Sequence, residues 1–394
     1  MANRYWVAST AGNWSDTANW SATSGGSGGA SVPGPGDTAY FDGNGLGNCT
    51  LDVAINVSSL RIGSGYGTSV LTATHNGPHA VSGDMIFDRG GANLLTSTWT
   101  IGGDLKTAGA RYGGGWAADS STITFTGTSL LLLDYNVNLF GNVELAPGAY
   151  VTVDTLWHRS GIWLTENKWL KIRKNATLYI KHGESQIDTG TIAGTGLYIE
   201  PGGALSGAAD KQFTVHMYHL QYGGIQQMDG TIDIPKLIWR PYRGYVVPAR
   251  YDSATVQLWA WGSARLNLEP GDYVFTGDFT TSDGTMDFNY YSNDVNLEFR
   301  GDVRINFTTL TWRKGAGTIT LSGANDLDID FNGAAVEDIV VEKTAGTVTF
   351  TGPVTTDSFE AGGASDDSVL DFNGQEIKTV GDFTLGPNTQ VVAV

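Results

Sequence analysis

The chain alternates apolar and polar residues over short stretches that end at Gly, Asn or Asp, and helical periodicity is nearly absent. This pattern predicts β-strands separated by tight turns. In three stretches the apolar side chains face one side and the threonines face the other. These near copies of one unit are Ser121–Gly127, Gly317–Gly323 and Gly346–Gly352. The sequence therefore predicts an all-β protein built from a repeated strand unit.

Two short motifs recur along the chain and suggest a period. Asp-Phe-Asn occurs at 287–289, 330–332 and 371–373, and Gly-Asp units follow one another at intervals of 20 and 24 residues. Such a period suits one coil of a parallel β-helix, whose stacked coils form parallel sheets around a core. Antiparallel β-sandwiches, which also space their strands regularly, are the alternative. The Gly-Asp motif stands at Gly83-Asp84, Gly103-Asp104, Gly277-Asp278, Gly301-Asp302 and Gly381-Asp382, with Gly141-Asn142 as a variant.

Residues 1–50 differ from the remainder. They contain Trp6, Trp14 and Trp20 and a Gly/Ser stretch at 24–29, a composition that alone is typical of a flexible linker. An open first coil is a strand edge that invites aggregation, so a solenoid needs a cap. We predict an N-terminal cap or anchoring segment over residues 1–50, with the three tryptophans as anchoring residues.

Charge divides the rest of the chain. Residues 155–251 carry 11 basic and 7 acidic side chains, whereas residues 269–394 carry 6 basic and 21 acidic ones. We therefore predict a β-helix over 51–268 with a basic, aromatic middle, and an acidic continuation over 269–394. The formal net charge of −17 opposes binding along a nucleic-acid backbone.

Composition sets further limits. The chain has 54 Gly and only 16% charged residues, but 41% hydrophobic residues and 12 Trp, so it is not a disordered chain. The single cysteine, Cys49, allows no intrachain disulfide and is predicted to be a small buried apolar residue. Neither a secretory signal nor a run of 18 apolar residues is present, which predicts a protein made in the cytoplasm without membrane insertion.

Aromatic and cationic residues concentrate in the basic middle. Trp, Tyr and Arg are favoured at binding hot spots, so these residues are predicted to contact a neighbouring subunit, an acidic capsid surface or a sugar. The alternative is that they stack along the outside of the solenoid in cation–π ladders. The candidate contact residues are Trp157, Arg159, Trp163, Trp169, Trp239, Arg240, Tyr242, Arg243, Tyr245, Trp259 and Trp261.

No pattern points firmly to catalysis. Asp326, Asp328 and Asp330 would share one face of a strand, where Ca²⁺ binding is possible but a solvated face is more usual. The pairs His75/His79 and His216/His219 are poor zinc sites, and nucleophile-elbow and phosphate-loop motifs are missing. We therefore predict no catalytic residue, no cofactor and no metal, with a glycoside hydrolase carboxylate pair as the alternative.

The opening residues resemble those of known β-helical proteins. The segment from Tyr5-Trp6-Val7 through Asn13-Trp14-Ser15-Asp16 to Gly36-Asp37-Thr38-Ala39-Tyr40-Phe41-Asp42 is similar to the start of structural and appendage proteins of tailed bacteriophages. It also resembles, more weakly, the passenger regions of autotransporter adhesins. The resemblance covers about 45 residues and is more specific for fold than for role.

The phage resemblance implies a virion structural protein on the particle surface, as a capsid decoration, a head fibre or a tail fibre or spike. Its partners would be capsid or tail proteins, with a host surface glycan as a further ligand, and a homotrimer would be expected. Two other functions stay open: a polysaccharide-binding or polysaccharide-degrading tailspike-like protein, and a bacterial surface adhesin.

Overall fold

The computed structural model is all-β, and the residues that it describes contain two short 3-10 helices, Thr17–Asn19 and Ser64–Tyr66. The structure describes residues 2–107, 115–133, 139–155, 162–164, 168–181, 185–189, 195–208, 211–217, 223–228, 230–234, 236–241, 243–246, 250–251, 255–258, 265–268, 270–281, 285–287, 294–305, 311–362 and 368–392.

The described residues form forty-eight strands, which are numbered in chain order. The first sixteen are β1 (Asn3–Trp6), β2 (Gly12–Asn13), β3 (Trp20–Ser21), β4 (Thr38–Phe41), β5 (Cys49–Leu51), β6 (Asn56–Val57), β7 (Ser59–Ile62), β8 (Val70–Ala73), β9 (His79–Val81), β10 (Met85–Phe87), β11 (Gly91–Asn93), β12 (Thr98–Ile101), β13 (Leu105–Lys106), β14 (Gly115–Phe125), β15 (Thr128–Leu133) and β16 (Leu139–Leu145). The next sixteen are β17 (Tyr150–Thr155), β18 (Trp163–Leu164), β19 (Trp169–Ile172), β20 (Thr177–Ile180), β21 (Ser185–Thr189), β22 (Thr195–Ile199), β23 (Ala204–Gly207), β24 (Gln212–Met217), β25 (Gly223–Met228), β26 (Thr231–Asp233), β27 (Lys236–Pro241), β28 (Arg243–Val246), β29 (Arg250–Tyr251), β30 (Thr255–Leu258), β31 (Arg265–Leu268) and β32 (Gly271–Phe275). The last sixteen are β33 (Phe279–Thr281), β34 (Thr285–Asp287), β35 (Val295–Phe299), β36 (Val303–Ile305), β37 (Thr311–Arg313), β38 (Thr318–Gly323), β39 (Leu327–Asp330), β40 (Ala335–Val336), β41 (Asp338–Lys343), β42 (Thr347–Phe350), β43 (Val354–Thr356), β44 (Phe359–Ala361), β45 (Val369–Asp371), β46 (Ile377–Thr379), β47 (Phe383–Leu385) and β48 (Gln390–Val392).

The chain divides into two compact units. Unit 1 comprises Met1–Asp188 with Tyr198–Lys211, and unit 2 comprises Thr189–Leu197 with Gln212–Val394. Each unit is a parallel β-solenoid. This division falls at a different place from the predicted limits of 50 and 268, which followed composition and charge.

A coil of unit 1 contains three short strands, each paired in parallel with its counterpart in the next coil. For example, β7, β8 and β9 lie beside β10, β11 and β12 in turn. In unit 2, β41, β42 and β43 lie beside β44, β45 and β46 in the same way. The predicted parallel β-helix is thereby confirmed, and the sandwich alternative is wrong.

Coil length varies around the predicted period. Met85 pairs with Leu105, 20 residues later, and Val153 pairs with Ile180, 27 residues later. In unit 2, Phe275 pairs with Phe299, 24 residues later. Turns of different length take up part of these differences, and the pair β14–β16 also shifts its register between Ala118 and Thr122.

The core runs along the inside of each stack. In the near-copy units the apolar side chains are buried and the threonines face outward, as predicted. Aromatic rings continue from coil to coil: Tyr251, Phe275 and Phe299 are stacked with centroids 5.0 and 5.3 Å apart. Cys49 is fully buried, as predicted, and burial raises the pKa of its thiol.

The N-terminal cap is packed around tryptophans. Trp6, Trp14 and Trp20 are all buried and lie around Phe41. The Trp20 indole N–H donates to the carbonyl oxygen of Trp14 at 2.8 Å, and that of Trp6 donates to the carbonyl oxygen of Gly47 at 2.9 Å. These side chains form the core of this first segment. Because they are buried, they are not placed to anchor the protein by touching a neighbour.

The Gly/Ser stretch belongs to the cap and does not form a linker. A Cβ at Gly28 would lie 1.9 Å from the carbonyl oxygen of Ala18, and the Ser24 hydroxyl donates to Asp42 at 2.7 Å. Glycine is required there for close backbone approach. The cap is continuous with the coils, because β4 pairs in parallel with β7.

Candidate functional site

The recurring Gly-Asp units tie neighbouring coils together. In five of the six units the side-chain oxygen accepts a backbone N–H from the next coil, which satisfies a donor at a corner where the strand ladder is interrupted. The sequence showed the repeat but not this role. The five bonds run from Asp104 N to Asp84 (3.1 Å), Leu130 N to Asp104 (2.9 Å), Trp169 N to Asn142 (3.2 Å), Asp302 N to Asp278 (3.1 Å) and Asp328 N to Asp302 (2.9 Å).

The glycine of the motif allows two coils to approach closely. A Cβ at Gly103 would lie 2.6 Å from the carbonyl carbon of Gly83, and one at Gly301 would lie 2.5 Å from that of Gly277. Backbone atoms cannot move aside as a flexible side chain can. A glycine is therefore needed at these corners for its small size.

Cations lie beside these carboxylates. Arg61 pairs with Asp84 at 3.3 Å, and Lys106 pairs with Asp104 at 3.2 Å. In unit 2, Arg304 lies 3.2 Å from Asp302 and 3.8 Å from Asp328. These pairs offset part of the repulsion between stacked like charges, although each exposed pair contributes little by itself.

Other groups of the protein already contact the three aspartates in and next to β39. Asp326 accepts the Thr347 N–H at 2.8 Å, Asp330 accepts the Asn332 N–H at 2.7 Å, and Asp328 faces Arg304. Within the part of the chain that the structure describes, no group of three or more His, Cys, Asp or Glu side chains is placed to hold a metal ion.

Two shallow depressions lie on the surface of unit 2. One, of about 380 Å³, lies beside Arg304, Asp328, Asp330 and Thr351. The other, of about 450 Å³, lies on the outward face of β32, β35 and β38. Its polar lining includes Asp272, Asn296, Glu298, Thr318 and Thr320.

Several polar groups in the larger depression already have hydrogen-bond partners within the protein. The Asn296 amide donates to Asp272 at 2.8 Å and accepts the Thr318 N–H at 3.1 Å. Glu298 accepts from Arg300 at 2.7 Å and from the Ser322 hydroxyl at 2.6 Å. This arrangement gives an ordered polar surface with two carboxylates.

The predicted contact residues of the basic middle are described only in part. Trp157, Arg159, Tyr242, Trp259 and Trp261 lie outside the described residues. The structure gives the backbone alone for five others, which lie in β18, β27 and β28: Trp163, Trp239, Arg240, Arg243 and Tyr245.

Trp169 is the member of this set whose side-chain surroundings are known. The Lys171 ammonium lies 4.3 Å from the centroid of the Trp169 ring and 5.2 Å from that of Tyr198. Trp169 is half-buried on the outside of β19. For this residue the geometry agrees with the cation–π ladder interpretation.

An ion-pair network is centred on Arg173, four residues after Trp169. Arg173 donates from Nε to Glu144 at 2.8 Å and from a terminal nitrogen to Glu200 at 2.6 Å, so that it joins three coils of unit 1. The hydrogen bond from Arg173 lowers the pKa of Glu200. Sequence reasoning missed Glu144, Glu200 and Tyr198, because coils of unequal length conceal which residues become neighbours.

One carboxylate is buried in unit 2. Glu337 accepts the Trp312 indole N–H at 2.9 Å and the Gly315 N–H at 2.7 Å. Burial raises the pKa of Glu337, while these hydrogen bonds and the nearby Lys314 act in the opposite direction. Lys314 itself pairs with Asp357. The cluster links residues of three successive coils.

His79 is a buried core residue. Its ring stacks on Trp99 with centroids 4.5 Å apart, Nδ1 accepts the Ile55 N–H, and Nε2 lies 2.9 Å from the carbonyl oxygen of His75. These partners fit the neutral ring with its proton on Nε2, and burial lowers the pKa of His79. Of the other pair, His219 lies outside the described residues, and only the backbone of His216 is described.

Comparison with known proteins gives no match, whether by family model, by curated sequence or by solved structure. No helix in the described parts of the chain is long and apolar enough to cross a membrane. The fold defines the class of protein: a parallel β-solenoid with a tryptophan-packed cap and polar ties between its coils.

Proposed function

We propose that this protein is a structural component on the surface of a bacteriophage particle and acts by docking and display. It is assembled in the host cytoplasm and serves as a capsid decoration, a head fibre or a tail appendage. The observation that carries the proposal is the series of polar ties between coils, together with the resemblance of the first 45 residues to phage appendage proteins.

A display protein must keep its length and surface shape under load. The Gly-Asp ties and the Arg173 network hold neighbouring coils in register from the outside, while stacked aromatic rings hold them from the inside. Much of the polar surface therefore stabilises the solenoid itself. Such a body supports docking and display better than it supports turnover of a small molecule.

The partners in this proposal are other virion proteins of the capsid or tail, and a host surface glycan is a further ligand. A homotrimer is expected from the phage resemblance. The acidic surface, with its formal net charge of −17, argues against a nucleic-acid partner.

The test is attachment to particles. Light scattering first gives the oligomeric state of the purified chain, which is then mixed with empty particles from the same source. Stoichiometric attachment to heads or tails is expected and would assign the position. A soluble chain that ignores the particles contradicts the proposal.

The larger depression supports a second candidate function, binding or cleavage of a polysaccharide. Asp272 and Glu298 line it together with amide and hydroxyl groups of the kind that sugars contact. A glycosidase needs its two carboxyl groups about 5–5.5 or 6.5–9.5 Å apart. Release of oligosaccharides from host glycan that Asp272→Asn or Glu298→Gln abolishes would support this function. Unchanged release in both variants would exclude this depression as the site of cleavage.

A further inference from the structure

Lys314, Glu337 and Asp357 stand at one corner of three successive coils of unit 2. Each comes directly after a strand, namely β37, β40 and β43 in turn. Val336 and Thr356 are register partners, so Glu337 and Asp357 follow at equivalent positions. The ammonium of Lys314 is in direct contact with a carboxylate oxygen of Asp357. The stacking of the coils thereby brings together an amine and a carboxyl group that are 43 residues apart.

The backbone on both sides of Asp357 is tied to the coil before it. The Thr356 hydroxyl donates to the main-chain oxygen of Glu337, and the Ser358 hydroxyl donates to Asp338 at 2.8 Å. Folding has therefore already ordered the groups that a reaction between the amine and the carboxyl requires. Groups held in this way react as parts of one molecule, which removes most of the entropic cost of bringing them together.

Glu337 belongs to the coil between the two partners. Of the Asp and Glu side chains that the structure describes, Glu337 alone is buried. Its carboxylate accepts N–H groups from Trp312 and Gly315, which stand on either side of Lys314 in the chain. Burial raises the pKa of Glu337, so this carboxyl can hold and release a proton nearer to neutral pH than an exposed carboxyl can.

We propose that Lys314 and Asp357 condense into an intramolecular isopeptide bond, with Glu337 as the proton relay. The Lys314 ammonium passes one proton to the Asp357 carboxylate, which gives a neutral amine and a carboxylic acid. Nζ then attacks Cγ, so that the Nζ–Cγ bond forms and the bond from Cγ to the protonated oxygen breaks. Glu337 takes a second proton from nitrogen and gives it to the departing oxygen. One water molecule leaves, and Glu337 returns to its starting protonation state.

The product is a covalent tie across three coils, in addition to the hydrogen-bonded ties of the Gly-Asp units. The side chains of Lys314 and Asp357 are 34% and 48% exposed, so the released water molecule has a path to solvent. The reaction needs no oxidant and no partner protein. The inference therefore goes beyond docking and display and does not depend on them.

The test is the intact mass of the whole purified chain, followed by a tryptic digest. The mass is expected to be lower than that of the sequence by one water molecule. Trypsin cleaves after Arg313 and Lys343 but not after an acylated lysine, so peptide 314–343 is expected to stay joined to peptide 344–378. In unit 1, where no described carboxyl is buried, the ion pair of Lys181 with Asp154 is the control in the same digest and is expected to stay unlinked.

Four variants assign the roles, with the mass followed over time after rapid purification. Lys314→Arg keeps a cation beside Asp357 but has no amine to acylate, and it is expected to keep its full mass. Glu337→Gln keeps a hydrogen-bond acceptor but cannot relay a proton, and it is expected to slow bond formation about a hundredfold. Glu337→Asp restores a carboxyl and is expected to recover part of the rate. The exposed Glu342→Gln is the matched control and should link as fast as the wild type.

A wild-type chain that keeps its full mass on storage at neutral pH overturns the proposal, whatever the variants show. The loss of one water molecule with two separate peptides also overturns it, because an aspartate that closes onto its own backbone gives the same mass. Equal rates of bond formation in Glu337→Gln and the wild type overturn the role of Glu337 as the relay.

Discussion

Asp104 and Leu130 join two neighbouring coils of unit 1: Oδ1 of Asp104 accepts the backbone N–H of Leu130 at 2.9 Å. The backbone N–H of Asp104 in turn donates to Asp84 in the coil before it. A carboxylate in this position satisfies a donor that no strand pairing reaches. The repeat of Gly-Asp along the chain is therefore a repeat of coil-to-coil ties.

Replacing Asp104 with alanine is expected to cost about 1 kcal/mol of unfolding free energy, because the Leu130 N–H loses its acceptor. Asp104→Asn is the matched control, since the amide oxygen can still accept this hydrogen bond. The measurement is urea denaturation with hydrogen exchange at Leu130. Exchange should be faster in the alanine variant than in the asparagine variant, and equal exchange rates would show that the tie has no effect.

Gly103→Ala is expected to destabilise unit 1 by about 1–3 kcal/mol, because the added Cβ would meet the Gly83 carbonyl carbon at 2.6 Å and force the coils apart. Gly34→Ala is the control, because the nearest atom to its Cβ would be 4.0 Å away. The melting temperatures of both variants test this. A Gly103→Ala protein as stable as the control would mean that the coils separate at little cost.

The sequence was sufficient to predict the solenoid but not its surface. Alternation and the Gly-Asp repeat depend on local turn chemistry, so strands, period and the buried Cys49 were all predictable. The neighbours of Arg173 were not, because Glu144 and Glu200 come 29 residues before it and 27 residues after it, in coils of unequal length. The inward direction of Trp20 was also hidden, since the cap has no regular alternation to indicate which side is buried.

The tryptophan core of the cap should dominate its stability. Trp20 is fully buried and lies edge-on to Trp14, with centroids 4.6 Å apart. Trp20→Ala is expected to cost about 3–5 kcal/mol, and hydrogen exchange should accelerate in β1 and β4. Trp169→Ala removes the same side chain from a half-buried surface position and should cost about 1 kcal/mol. Comparable losses in the two variants would contradict a cap closed by its aromatic core.

The buried carboxyl of Glu337 should make the stability of unit 2 depend on pH. Burial raises its pKa in the folded protein above the ordinary value of 4.5, so the folded state holds this proton more tightly than the unfolded state does. The contribution of Glu337 to stability is therefore complete below about pH 4.5 and is lost as the pH rises through the folded-state pKa. Other carboxylates also make the free energy of unfolding depend on pH. The contribution of Glu337 is therefore measured as the difference between the wild type and a variant without this carboxyl.

Glu337→Gln removes this titration but retains one acceptor for the two N–H groups of Trp312 and Gly315. Between pH 4.5 and pH 7 the titration of Glu337 lowers the free energy of unfolding of the wild type. We expect the variant to lack this loss. The exposed Glu342→Gln is the matched control and should follow the wild type. Urea denaturation followed by Trp fluorescence at several pH values gives the comparison. Parallel pH profiles for Glu337→Gln and the wild type would show that Glu337 has the same pKa in the folded and in the unfolded protein.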